Sequence, residues 1–170
     1  MKVKLIGDWA KASRLINHLD KNIRDASIRS QRKIADRYVR LVKSHLRNQD
    51  IPGWTPLNPR TADYKMGKYG NEDILLSTHL LYDSIQSWRS NGVYFAGIKR
   101  GEAYERGTEV ARIAEIHEAW SFMPGMPHRP LWSYTYEVDL GGKKGVREIF
   151  ITELKRRLQA KGYPIRRLKL

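Results

Sequence analysis

Gln86-Ser-Trp-Arg-Ser90-Asn91-Gly92-Val93-Tyr-Phe-Ala-Gly97-Ile98 reads as two short extended runs joined by an Asn-Gly pair. Both residues of the pair tolerate positive φ, which a type I′ turn requires and whose twist matches paired antiparallel strands. The stretch therefore predicts a β-hairpin. On either side the apolar spacing changes to three and four residues, the period of helices, so the chain is predicted to be α+β. The expected architecture is a long N-terminal helix, a small, mostly antiparallel sheet containing this hairpin, and a C-terminal amphipathic helix.

Upstream, Thr78 is placed to cap a short helix with Leu81 and Ile85 on its inner side, and Thr61 to cap another reaching about Met66. Before them, Asp50–Pro59 holds three prolines and a glycine, the mark of an extended linker, here pinned by Trp54 and Leu57. From Trp9 to about Leu46 no Pro or Gly occurs. Apolar or small residues recur at Trp9, Ala12, Ile16, Leu19, Ile23, Ala26, Ser30, Ile34, Tyr38, Leu41 and His45. A continuous helix there would be roughly 55 Å long, more than a domain of this size covers. A bend or break near Ser27–Lys33 is the expectation, the alternative being an end that projects to meet another subunit. Val3–Ile6 reads as a short opening strand.

Downstream, Arg100–Gly107 is a polar loop and Glu109–Glu118 an amphipathic helix. Ser121–Pro130 contains three prolines and must follow an irregular path. Trp132–Asp139 alternates large and polar residues, which predicts a strand with Trp132, Tyr134, Tyr136 and Val138 facing the core. Gly141–Gly145 reads as a flexible basic loop. Val146 to about Lys161 reads as a helix with Ile149, Phe150, Leu154 and Leu158 inward, closed by Gly162 and a basic tail.

The 170 residues, 41% of them hydrophobic and 29% charged, fit one globular domain, 1–170. Its net charge of +14 is uneven. Residues 1–50, a helical region, carry 13 Lys/Arg against 5 acids; the α+β body at 51–140 carries 9 against 11; the helix and tail at 141–170 carry 10 against 2. Both ends are basic and the middle is nearly neutral, which speaks against one uniformly basic surface. There is no cysteine, so disulfides, thiolate zinc sites and thiol catalysis are excluded. No apolar run has the length of a signal peptide core or a membrane helix, so a soluble, intracellular protein with no membrane partner is expected.

No catalytic constellation emerges. A phosphate-binding GxxxxGK[ST] loop is absent, and His117-Glu118 begins an HExxH pattern whose fifth position is Ser121. Glu102, Glu105, Glu109, Glu115 and Glu118 cluster without the carboxylate spacing of a metal-dependent nuclease. The reading is a non-enzyme with no cofactor and no metal. Arg29, Arg32, Lys33, Arg37, Arg40, Lys43 and Arg47 form a basic stripe on the first helix, and Lys155, Arg156 and Arg157 with Arg166 and Arg167 a second cluster. Either could neutralise DNA phosphates or dock an acidic protein.

Across 54–131 an ordered set of residues resembles the tail-completion or neck proteins of long-tailed bacteriophages, also called virion morphogenesis proteins. The set is Trp54-x-x-Leu57, Thr61 and Lys65, Ile74-Leu75, Thr78, Leu81-x-x-Ser84, Val93 and Gly97, Ile113-Ala-Glu-Ile-His117-Glu118, and Met126-Pro127-x-Arg129-Pro130-Leu131. His79, Ala119-Trp120 and His128 depart from the family's usual Gly, Phe-Gly and small residue. The resemblance implies a structural, non-catalytic subunit of a homo-oligomeric ring at the virion neck, assembled in the host cytoplasm. Its partners would be portal-side connector and tail terminator proteins, with genome DNA passing through without sequence reading. It also implies that Trp54, Leu57, Thr78, His117, Glu118, Pro127, Arg129 and Pro130 are structural or interface residues, with Arg129 paired to Glu115 or Glu118. The alternative is a non-catalytic basic DNA-binding protein.

Overall fold

The computed structural model describes residues 9–104, 107–119 and 127–160. Its elements are α1 (Trp9–Asn48), α2 (Pro59–Tyr69), α3 (Leu80–Ser84), β1 (Ile85–Ser90), β2 (Val93–Ile98), α4 (Val110–Glu118), α5 (Trp132–Tyr134) with a π-helical continuation (Thr135–Asp139), and α6 (Gly142–Ala160). The class is α+β: a long N-terminal helix, an antiparallel hairpin and a C-terminal helix. The expected strand at Val3–Ile6 and the basic tail lie outside the described residues.

The hairpin forms as its turn dictates. Asn91 and Gly92 take φ of 48° and 81°, and Ile85 pairs with Ile98 through to Ser90 with Val93. Among the described residues the sheet has these two strands only. One face turns Ile85 and Ile98 to the core, and Ser87 donates to Asp36 of α1 at 2.6 Å. The other face carries Trp88 stacked on Phe95, with centroids 5.6 Å apart.

α1 departs from expectation: it runs 40 residues without a break, about 60 Å. No Gly or Pro interrupts Ser27–Lys33, and α6 supports that stretch from the side. Ala26 packs against Phe150, Leu154 and Leu158; Lys33 bonds to Glu153, and Arg157 to Asp25. The C-terminal half of α1 meets the main core of Val42, Leu46, Ile51, Leu76, Ile85 and Leu131. The row read from the sequence is therefore inward only in part. Ile16, Leu19 and Ile23 are 66%, 43% and 40% exposed, whereas Asn22, Ala26 and Ser30 are buried.

α1 ends at Gln49, whose φ of 53° puts it in the left-handed region. The Gln49 side chain donates to the carbonyls of Leu46 and Ile74 and accepts from the Ile74 amide at 2.8 Å, which straps the 74–76 segment to the helix end. α2 starts earlier than expected because Asn58, not Thr61, supplies the cap: its side chain accepts from Arg60 N–H at 3.0 Å and Pro59 opens the helix. α3 is preceded by His79 in the left-handed region; the Thr78 hydroxyl accepts from Leu80 N–H at 3.4 Å.

The largest correction falls on 132–139, which is helical rather than a strand. The Glu118 carboxylate takes up the amides of Leu131, Trp132 and Ser133, and the Thr135 hydroxyl donates to the Leu131 carbonyl at 2.6 Å. Those bonds satisfy the first donors of a helix and leave none for a sheet ladder. Residues two apart on a helix lie about 200° apart, so the alternating row is divided. Trp132 and Tyr134 pack on the core, while Tyr136 and Val138 are exposed. Gly141–Gly145 is likewise no loop throughout, since α6 begins at Gly142. Gly145 sits where no side chain fits: a Cβ there would stand 1.5 Å from the Leu140 carbonyl oxygen.

Candidate functional site

Several of the residues singled out in the sequence converge on one knot of chain. The Trp54 indole N–H donates to the Pro130 carbonyl at 3.3 Å, and Arg129, only 5% exposed, donates through Nε and Nη2 to the Thr55 carbonyl at 3.4 and 3.1 Å. The Arg129 amide bonds to the His117 carbonyl at 2.9 Å, and the His128 ring meets the Glu118 carbonyl at 2.9 Å. Linker, α4 and the 128–130 segment are thus tied together by polar groups facing inward.

The arginine's role differs from the expected ion pair. Glu118 is occupied by three backbone amides, and Glu115 is exposed, paired with Arg112 at 3.1 Å. Arg129 instead meets a carbonyl, and burial lowers the pKa of its guanidinium. His117 is half-buried, and its pKa is pushed down by burial and by Arg129, which favours the neutral ring. Among the described residues its Nδ1 has no hydrogen-bond partner, and His117 lines a cavity of about 10 Å³, room for one water molecule at most. Lys65 is also buried, donating to the Asp73 carbonyl; burial lowers its pKa.

Leu57 is half-buried, and Thr78 is exposed and bonds locally to Leu80. Pro127 is half-buried at the start of the knot. Chemically, this arrangement holds backbone. The carboxylate and guanidinium are spent on main-chain groups, and among the described residues no cluster of His, Asp and Glu is set to hold a metal ion.

The basic stripe of α1 is divided by the fold. Lys43 and Arg47 lie over the Tyr82 ring, and Arg47 donates to its hydroxyl at 2.7 Å. Lys33 bonds to Glu153, and Arg32 forms an ion pair with Asp36 at 3.6 Å. Arg29, Arg37 and Arg40 remain exposed and enter no ion pair among the described residues. In the second cluster, Arg156 pairs with Glu153 and Arg157 with Asp25, so these two hold α6 against α1 or brace its turn. Lys155 is half-buried, and Arg166 and Arg167 lie outside the described residues.

A groove of about 890 Å³ runs between α1, the 138–141 turn and the start of α6. Arg37, Arg40 and Lys144 contribute to its lining, but so do Asp36, Asp139 and Glu148. Mixed signs at this density do not make a phosphate track.

Sequence reasoning missed His45, whose two ring nitrogens lie 2.5 Å from Asp50 and 2.5 Å from Asp139. Burial opposes charging this ring, but hydrogen bonds to Asp139 and Asp50 outweigh it and raise the pKa. It also missed Gln49 and Glu153. A polar residue on the inward row of a helix, as His45 is, was the one available signal for any of them.

No protein-family model, curated protein or solved structure matches the chain. Among the described residues, no helix is long and apolar enough to cross a membrane.

Proposed function

We propose that the chain is a structural, non-catalytic subunit of a phage neck: a tail-completion or head–tail connector protein that forms a ring between the portal side and the tail. The carrying observation is the convergence of Trp54, His117, Glu118, Arg129, Pro130 and Leu131, drawn from 78 residues of chain, on one knot. These residues carry the family likeness, and they are used to fix backbone, as a scaffold subunit requires. The unbroken α1 adds support, because its N-terminal part carries an apolar row that the described residues leave exposed. In this reading the partners are further copies, a portal-side connector and a tail terminator, and genome DNA passes through the ring.

Electron microscopy and mass photometry of the purified protein, with protein analysis of particles from the same genome, test the reading. Closed rings, or the chain's presence in particles, is the expected result. A strict monomer absent from particles contradicts it.

A second reading, a non-catalytic basic DNA-binding protein, draws on Arg29, Arg37 and Arg40, exposed along one stretch of α1. It requires duplex affinity that falls steeply with salt and weakens when these three are replaced. Flat, weak binding at low salt removes it.

A further inference from the structure

We infer that the groove between α1, the 138–141 turn and the start of α6 docks an acidic peptide segment of another protein, one that combines closely spaced carboxylates with an apolar side chain. The inference goes beyond the neck reading, which names neighbours but gives them no surface, and its chemistry does not depend on that reading.

The charges that line the groove divide into spent and unspent. Asp36 accepts from Ser87 and pairs with Arg32, Asp139 holds His45, and Glu153 is taken by Lys33 and Arg156. The charges left without a partner among the described residues are Arg37, Arg40 and Lys144, with Glu148 as the single acid. All four are exposed. Three free cations against one acid make the groove complementary to carboxylates.

Arg37 and Arg40 stand three residues apart on α1, which brings their Cβ atoms within about 5–6 Å. Each guanidinium can take a carboxylate in two bonds. Lys144 lines the same groove from the first turn of α6. Apolar surface lies in the same lining: Val138, 57% exposed, with Ile149 and Leu140. The volume of about 890 Å³ falls within the range of about 300–1,000 Å³ usual for sites that enclose a ligand.

The sign pattern separates a peptide from DNA. A nucleic-acid backbone carries a charge at every phosphate and would set some of them against Glu148 and Asp36. A peptide can place its acids opposite Arg37, Arg40 and Lys144 and put neutral or apolar residues elsewhere.

The chain's own undescribed segments do not supply such a ligand. Residues 1–8, 105–106, 120–126 and 161–170 hold two acidic side chains in all, Asp8 and Glu105, in different segments. Asp8 adjoins Trp9, which lies about 42 Å along α1 from Arg37. Residues 161–170 carry Lys161, Arg166, Arg167 and Lys169, the wrong sign for this groove.

Fluorescence anisotropy of a labelled peptide alternating glutamate and leucine, titrated with the protein at physiological ionic strength, tests the inference. Arg37→Glu and Arg40→Glu are compared with Arg60→Glu, an equal change of charge at an exposed site on α2. Circular dichroism checks that each variant is folded. Saturable binding is expected, weakened about tenfold or more by either groove substitution and less than about twofold by Arg60→Glu. Glutamine in place of glutamate should abolish it, and glycine in place of leucine should weaken it. No binding overturns the inference, as does binding that Arg60→Glu weakens as much as the groove substitutions do. Displacement of the peptide by a duplex oligonucleotide gives the groove to nucleic acid, and displacement by a synthetic peptide of residues 161–170 gives it to the chain's own tail. Self-association that Arg40→Glu removes gives it to a second copy. Each of these three results also overturns the inference. Rings formed by a protein that does not bind the peptide leave the neck reading standing, and peptide binding without rings leaves the groove standing.

Discussion

Glu118 reaches across thirteen residues of chain to accept the amide hydrogen of Leu131 at 2.8 Å. The same carboxylate takes the amides of Trp132 at 2.9 Å and Ser133 at 2.8 Å. An acid at the end of one helix thus serves as the N-terminal cap of another, and its charge faces the positive end of that helix. The contact sets the direction in which the chain leaves the proline loop.

Replacing Glu118 with Ala should cost about 2–3 kcal/mol, because charge-assisted bonds are lost and donors near the core are left unmade. Glu118→Gln should cost less, since one carbonyl oxygen remains. Urea denaturation measures both. A Glu118→Ala protein with wild-type stability would show that water replaces the cap without loss.

Gly145→Ala pits two effects against each other. Helix propensity alone would favour Ala by about 0.5–1 kcal/mol. The new Cβ would, however, stand 1.5 Å from the Leu140 oxygen and 2.6 Å from its carbon, both backbone atoms. The clash should win, with a net loss of about 2–4 kcal/mol or a shifted start of α6. Thermal denaturation reads the sign directly.

His45 should make stability fall on the alkaline side. Its pKa is raised above the ordinary 6.5, so the folded protein holds the proton more tightly than the unfolded chain. The contribution is complete below 6.5 and is lost as pH rises through the folded value, when one nitrogen loses its proton and faces a carboxylate without a donor. The groups facing the ring are Asp50, Asp139 and the Tyr134 ring, which meets it in a T-shaped contact. Melting temperatures measured from pH 6 to 9 should decline, and His45→Asn should flatten that decline.

Glu153 should act in the opposite direction. It is 2% exposed, and the bond from Lys33 lowers its pKa against the pull of burial, with Arg156 assisting. Its contribution is present above the ordinary value of 4.5 and is lost as pH falls through the lowered one. Glu153→Gln should destabilise at neutral pH by about 1–3 kcal/mol and lose less on acidification than wild type. Denaturation at pH 7 and pH 3 compares them.

The hairpin and most of the helical spans, at 9–48, 110–118 and 146–160, could be read from local signals: an Asn-Gly pair, three-and-four spacing, and caps. The strand expected at 132–139 failed for a nonlocal reason, since the group that turns it into helix is a carboxylate on α4. The bend expected in α1 failed similarly, because its support comes from α6. Of the site residues, Trp54, His117, Glu118 and Arg129 stand out in the sequence only through the resemblance that the proposal rests on. Their partners were not readable, because backbone carbonyls and amides such as Thr55 and Ser133 leave no mark in a sequence. The basic runs were visible, but not their division into paired Lys33 and Arg157 and exposed Arg37 and Arg40.

The proposed neck role is tested most directly by electron microscopy of lysates from a phage genome in which this gene alone is inactivated. The account predicts filled heads and finished tails that remain separate, and their joining when the gene is restored. Complete, joined particles formed without the protein would contradict it.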